Sequence, residues 1–309
     1  MATTERSSRG VVLVTGASTG LGRAAAIRLA EQGFQVIAGV RKDADGAELA
    51  AASPQAPVTP VRLDVTSEAE IERAVGVVAQ RCGDAGLRGL VNNAGICVCA
   101  PLETVTSAQL REQLEVNVIG ALAVTRAFLP LLRTGPSGAG PVGRIVNVSS
   151  GVGRLASPFL GAYAAAQFAK EGMSDALRRE LAAQSISVSV IEPGAIMTPI
   201  WGKISEAADR VLPGVDPAVA EFYREPFAAF VRMNDGLARD SRTTPEQFAR
   251  TVERALTDRK PKTRYRVGVD AVGGSLAARL LPDRALDAML RAMHRMSRPT
   301  PAATGEASS

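Results

Sequence analysis

Gly16, Gly20 and Gly22 follow the apolar run 11–15 and open a stretch rich in alanine and leucine. Residues without side chains at the start of a helix let backbone come close to a pyrophosphate, and the unsatisfied amides of the first turn face its charge. The chemistry suggested is nucleotide binding; a tight turn that packs a helix onto its strand is the structural alternative. Arg41 and Lys42 follow the second apolar run, where an acid would bind the ribose hydroxyls of an adenosine. Two cations there suit a 2′-phosphate and favour NADP(H) over NAD(H), against the plainer reading of a solvated surface pair. Asp64, after a third apolar run, can either cap a backbone group or accept from an adenine amino group.

Other reactive side chains are sparse. Cys82, Cys97, Cys99 and the single histidine, His294, show no metal-ligand spacing, so reduced thiols are expected instead of zinc or disulfides. Cys97 and Cys99 can line a substrate edge, although small buried hydrophobes are the ordinary reading. Lys plus Arg number 36 against 31 for Asp plus Glu, giving +5 without a basic block, so nucleic acid is not an expected partner. Hydrophobic residues at 46% with 22% charged exclude a disordered chain. Without a signal-peptide pattern or an apolar run of transmembrane length, the default expectation is the cytoplasm.

The elements that must position these residues alternate. Strands are expected at 11–15, 36–40, 58–63, 89–92, 144–148 and 187–191, with 264–267 as a seventh, and helices at 21–31, 68–81, 116–132 and 162–183. This order predicts an α/β fold: a doubly wound, Rossmann-type parallel sheet in a single domain over 10–297, between flexible ends at 1–9 and 298–309. The stretch 195–243 has no strand pattern but carries Met197, Ile200, Trp201, Phe222, Tyr223, Phe227, Phe230 and Met233. It reads as a helical substrate lid, with ordinary helix-face packing as the alternative. Thr244 followed by Pro245 starts a further helix. An amphipathic helix at 286–296, containing His294, forms a C-terminal extension expected to pack on the protein sooner than on a membrane surface.

Taken together, these residues resemble the classical short-chain dehydrogenase/reductase family. Thr15-Gly16-Ala17-Ser18-Thr19-Gly20-Leu21-Gly22 is similar to its TGxxxGxG motif, Asn92-Asn93-Ala94-Gly95 to its NNAG motif, and Pro193-Gly194 with Thr198 to the segment holding the nicotinamide amide. Asn117, Ser150 and Tyr163 resemble its catalytic residues, with Ser150 chosen over Ser149 because it precedes Tyr163 by thirteen positions. The resemblance also implies cofactor contacts from Asp64, Val65, Asn93, Ala94, Gly95, Gln167 and Ile196, and a water held by Asn117. Residues 261–268 are similar to the subgroup of retinol and 17β-hydroxysteroid dehydrogenases, implying a bulky apolar alcohol or ketone. Helices 116–132 and 163–183 resemble those that form the family's dimer interface, which implies a homodimer or homotetramer.

One family position differs. The YxxxK motif here reads Tyr163-Ala164-Ala165-Ala166-Gln167. Positions i and i+4 share a helix face, so Gln167 reaches the groove of Tyr163 and can bond ribose hydroxyls, but it brings no charge to favour a phenolate. Alcohol oxidation is compromised more than reduction, which needs only a protonated phenol. The expected activity is therefore NADPH-dependent carbonyl reduction, with Tyr163 as proton donor and Ser150 orienting the carbonyl. The alternative is an NADP(H)-binding protein without redox turnover, either a regulatory pseudoenzyme or a nonredox isomerase or cyclase. Lys170, about 10 Å further along the helix, is expected at the surface or an interface and not as a direct substitute for the lost lysine.

Overall fold

A computed structural model describes residues 9–134, 142–199 and 214–296. The chain begins with β1 (Val11–Thr15), whose five residues are all buried, as expected for a central strand covered on both faces. It continues through α1 (Gly20–Glu31), β2 (Gln35–Val40), α2 (Asp43–Ala51), β3 (Val58–Arg62), α3 (Glu68–Cys82) and β4 (Leu87–Asn92). Next come α4 (Ser107–Leu114), a π-helical segment (Glu115–Ile119), α5 (Gly120–Arg133), β5 (Arg144–Val148), α6 (Gly161–Glu180) and β6 (Ser187–Pro193). The remaining elements are α7 (Pro217–Arg239), α8 (Pro245–Thr257), β7 (Arg264–Val267), α9 (Val269–Leu280) and α10 (Asp283–Met296).

The seven strands form one parallel sheet in the order β3-β2-β1-β4-β5-β6-β7, the doubly wound arrangement expected from the alternation. One apolar layer joins Val12 and Val14 of β1 to Phe248 and Leu256 of α8, and the other joins Leu13 to Phe128 and Leu132 of α5. Arg28 on α1 bridges Glu253 and Glu246 on α8 at 3.0 and 3.4 Å. The start of α8 is fixed by Pro245 in the first turn and a Thr244–Gln247 capping box.

Several elements differ from their expected spans. The short α2 and the glycine-containing α9 have weak helical patterns in sequence and are additions. The helix expected at 116–132 begins earlier, as a continuous run Ser107–Arg133 started by a Thr106–Gln109 capping box. That run is long and apolar enough to cross a membrane by length and composition alone, a test that a helix packed on a protein core also passes. Its Val124, Phe128 and Leu132 are used in packing against the sheet. Ile200, Trp201 and the His294 side chain lie outside the described residues.

A buried polar lattice locks α6 to the sheet. Asn92 Nδ2 donates to Thr125 Oγ1 at 2.9 Å and to Asn147 Oδ1 at 2.8 Å; Asn147 Nδ2 donates to Ser174 Oγ at 2.8 Å, and Ser174 Oγ to the Lys170 carbonyl at 2.6 Å. Buried polar groups are costly unless bonded, so this lattice also sets the rotation of α6 and what it points at the sheet edge.

Candidate active site

At the switch point between β1 and β4, where the chain departs to opposite faces of the sheet, the carboxyl ends of the strands open into a cavity of about 780 Å³. The glycine turn forms one wall, and the residues of the NNAG stretch hold it in shape. Asn93 Nδ2 donates to the Thr15 and Gly16 carbonyls, both at 3.0 Å, while Thr15 Oγ1 accepts from the backbone amides of Asn93 and Ala94. Gly16 has φ +63° and lies against the Ala94 backbone; a β-carbon at Gly22 would stand on the Gly16 carbonyl and the Asn93 amide. The packing reading therefore holds for Gly22, which seats α1 on the turn. Gly22→Ala is expected to cost about 1–3 kcal/mol through this clash, measured as a loss of stability in chemical denaturation.

Every sequence-predicted site residue except Lys42 lines this cavity. Lys42 is exposed at the N-cap of α2, so only the Arg41 half of the expected cation pair lies at the cavity. Asp64 takes the capping role: its Oδ1 accepts from the Thr66 amide at 2.9 Å and the Thr66 hydroxyl at 2.7 Å. Burial acts to raise its pKa, but these two bonds and the Arg41 charge bring it below the usual carboxylate value. Asn117 sits in the π segment with its amide clamped to Ile96, accepting from the backbone N–H at 2.9 Å and donating to the carbonyl at 3.0 Å. That side chain positions the loop after β4.

Ser150 follows β5 and begins a short 3₁₀ turn, its Oγ accepting from the Val152 amide at 3.2 Å. Arg154 anchors this turn to β6 through the fully buried Glu192 at 3.1 Å. Ser149 supports the strand end, donating its amide to the Ile191 carbonyl at 2.8 Å. Tyr163, in the first turn of α6, is half-buried and faces the cavity. Burial and the neighbouring Cys97 push its pKa up, hydrogen bonding with Gln167 and Ser150 pulls it back, and the result is about 12. Gln167 Nε2 donates to Tyr163 Oη at 2.9 Å, whereas Gln167 Oε1 is buried without a partner.

Lys170 corrects an expectation: it is not a surface or interface residue but fully buried and part of the cavity lining. Seven residues make almost two whole turns, so it shares the inward face of Tyr163, and the apolar environment is offset by a bond from Nζ to the Val148 carbonyl at 3.1 Å. The thiols offer no competing nucleophile, because burial pushes all three upward, Cys97 most strongly.

The lining also carries Cys97, Leu155, Met233, Leu237, Leu290 and Met293, of which Cys97 and Met233 pack in the same apolar cluster as Tyr163. Met233 and Leu237 come from α7, which packs on the site through Phe227 and Phe230 against Phe159 and Leu160. Leu290 and Met293 come from α10, which packs against α7 as expected of the C-terminal amphipathic helix. Sequence reasoning missed these two as cavity residues, although their i,i+3 spacing was visible. It also missed Asp270 on α9, whose Oδ2 accepts from the Ala195 amide at 2.6 Å and holds the Pro193-Gly194 segment; no local sequence pattern marks that contact.

Comparison with known proteins agrees with this geometry. Residues 10–209 match the short chain dehydrogenase family model. The chain is 39% identical over 280 residues to the 3-amino-tetrahydro-pyrrolizinone reductase of Xenorhabdus hominickii, covering 91% of this chain and 94% of that protein. It is 34% identical over 291 residues to mouse retinol dehydrogenase 5, covering 92% and 88% respectively. Among solved structures, a short-chain dehydrogenase from Streptomyces avermitilis superposes with a TM-score of 0.72 at 31% identity, covering 96% of this chain and 100% of that one. With the parallel sheet, the glycine turn held by Asn93, and Ser150 and Tyr163 on one cavity, the chain belongs to the short chain dehydrogenase family of oxidoreductases.

Proposed function

We propose that the chain reduces a carbonyl on a bulky apolar substrate at the expense of NADPH, with Tyr163 as the proton donor. The carrying observation is the hydrogen bond from Gln167 Nε2 to Tyr163 Oη. Because the amide donates, the phenol keeps its own proton free to be given to a carbonyl oxygen in the cavity. With its pKa pushed up to about 12, the phenol is protonated throughout the neutral range, the state an acid needs. Ser150 Oγ can donate to the same oxygen as negative charge builds on it. The reverse reaction needs a phenolate, which this burial opposes.

The residues present fit the cofactor. The glycine turn leaves backbone open beside the N-terminus of α1 for a pyrophosphate, and Asn93, Ala94, Gly95, Val65, Ile196 and Thr198 complete the walls of that part of the cavity. When bound, NADPH supplies the hydride that reaches the carbonyl carbon. Arg41 lines the cavity, and its guanidinium would hold a 2′-phosphate, which supports NADP(H) over NAD(H). Arg41→Ala is expected to weaken NADPH binding about tenfold or more and NADH binding less than about twofold, read by fluorescence titration, since a charge-assisted bond contributes about 1.5–3 kcal/mol.

The apolar part of the cavity lining supports a substrate such as a hydrophobic ketone or aldehyde, and α7 supports the reading of a lid over it. Exposed Ile119 and Phe168, on the helical run through α5 and on α6, support self-association through those helices. The test is a panel of apolar ketones and aldehydes with NADPH. One NADPH consumed per alcohol formed supports the reduction; tight NADPH binding with no turnover across the panel, in Gln167→Lys as well, overturns it. The uncharged Gln167 favours one second reading, nonredox acid–base chemistry or regulation of a partner with the cofactor bound. Product formed without net NADPH consumption would show the former, and a cofactor-sensitive partner complex the latter.

A further inference from the structure

Tyr163, Gln167 and Lys170 project from one face of α6, at i, i+4 and i+7. Lys170 is 1% exposed, and its ammonium gives one hydrogen bond, to the Val148 carbonyl two residues before Ser150. An ammonium carries three donors. One turn nearer Tyr163, the Gln167 amide donates from Nε2 to the phenol while its Oε1 is buried and unpartnered. A buried cation with unused donors and a buried amide oxygen with unused lone pairs thus stand an i,i+3 step apart on the same cavity. Helical side chains lean toward the helix N-terminus, which carries the lysine chain back toward Gln167.

The neighbouring Glu171 acts on this ammonium, and its Oε1 is buried without a hydrogen-bond partner. Its Oε2 is held by Arg264 at 2.9 Å, in an ionic cluster with Glu192 and Arg154. Other ionisable groups on elements around this part of α6 include Arg111 and Glu112 on α4, Glu115 in the π segment, Cys97 in the loop after β4, and Asp175 on α6 itself, which pairs with Arg264 and Arg178. Burial lowers the Lys170 pKa to about 8, with Glu171 acting in the opposite direction.

We propose that Lys170 is a positioning residue for Tyr163: its ammonium holds the Gln167 Oε1, directly or through one water, fixes the amide with Nε2 toward the phenol, and supplies from one turn away the charge that glutamine lacks. This rests on the reduction proposed above. As Tyr163 gives up its proton, the oriented amide and the cation behind it stabilise the oxygen left negative. Loss of the ammonium proton above about pH 8 then lowers the rate of reduction.

The test needs no turnover. A multiply fluorinated tyrosine, whose phenol ionises below about pH 8, where Lys170 still carries its proton, is placed at position 163 of the full chain and titrated by ¹⁹F NMR without cofactor. Lys170→Met is expected to raise its apparent pKa by about one unit, a tenfold change in the ionisation constant. In the Gln167→Leu background the same replacement is expected to do much less. A change below about 0.2 unit in the first comparison, or an equal change in both, overturns the proposal. If Lys170→Met does not fold, the titration of Lys170, one of five lysines, is followed by ¹⁵N NMR in the wild type and in Gln167→Leu. Loss of the amide oxygen must lower its pKa, and an unchanged value overturns the proposal. A coupled Tyr163 in a protein that reduces no carbonyl would remove the reductase reading alone; an uncoupled Tyr163 in an active reductase would remove the lysine's role alone.

Discussion

Tyr163→Phe is expected to lower kcat for carbonyl reduction by about 10²–10⁴-fold while NADPH affinity changes by less than about twofold, the range set by removing a positioned general acid. The ring remains and fills the same space, so the wall of the cavity is kept; only the hydroxyl is lost. That hydroxyl accepts from Gln167 at 2.9 Å and carries the proton the product alcohol must receive. Ser150 can orient the carbonyl but is no substitute, because its hydroxyl is a far weaker acid and its oxygen is tied to the Val152 amide. The phenylalanine also leaves Gln167 Nε2 without its acceptor, so a modest loss of stability, about 1–3 kcal/mol, accompanies the loss of rate. Steady-state kinetics with a cofactor titration and a denaturation curve separate the three effects. A variant that retains more than about a tenth of the wild-type kcat would show that the proton comes from elsewhere.

Phe230→Ala is expected to destabilise the protein by about 3–5 kcal/mol and to raise KM for an apolar substrate more than it lowers kcat. Phe230 is 1% exposed and stacks on Phe159 at a ring separation of 5.2 Å. Phe159 itself has φ +65°, a left-handed conformation that costs a non-glycine residue about 1–3 kcal/mol and persists only while its surroundings hold it. The aromatic cluster with Phe227 therefore holds two things at once, the backbone just before Tyr163 and the α7 helix that brings Met233 and Leu237 to the cavity. Thermal denaturation should show a fall of roughly 5–8 °C for a chain of this size. Phe222→Ala on the same helix is the control: it is 78% exposed, and its change should stay within about 0.5 kcal/mol.

The strands and the glycine turn were legible in the amino-acid sequence because each rests on local chemistry, and the Ser150–Tyr163 pair through its resemblance to the family's motifs. Unbroken apolar runs such as Val11–Thr15 suit only a covered strand, Gly16 is demanded by a positive φ, and Tyr163 and Gln167 meet because four residues close one helical turn. What depended on contacts between distant segments was hidden. Asp270 reaches the Ala195 amide across 75 residues, Asn117 spends its amide on Ile96, and α10 brings Leu290 and Met293 to the cavity only after packing on α7. Spacing along the helix axis suggested an outward Lys170, and only the seating of α6 on β5 and β6 turned it inward. The sequence by itself determined the alternating strands and helices of the sheet, which follow from local backbone preference and side-chain type, and its motifs pointed to the family by resemblance. The tertiary structure alone decided which polar atoms are buried, which are already bonded and which are left unpaired beside one another, because burial and hydrogen-bond satisfaction are properties of the packed chain.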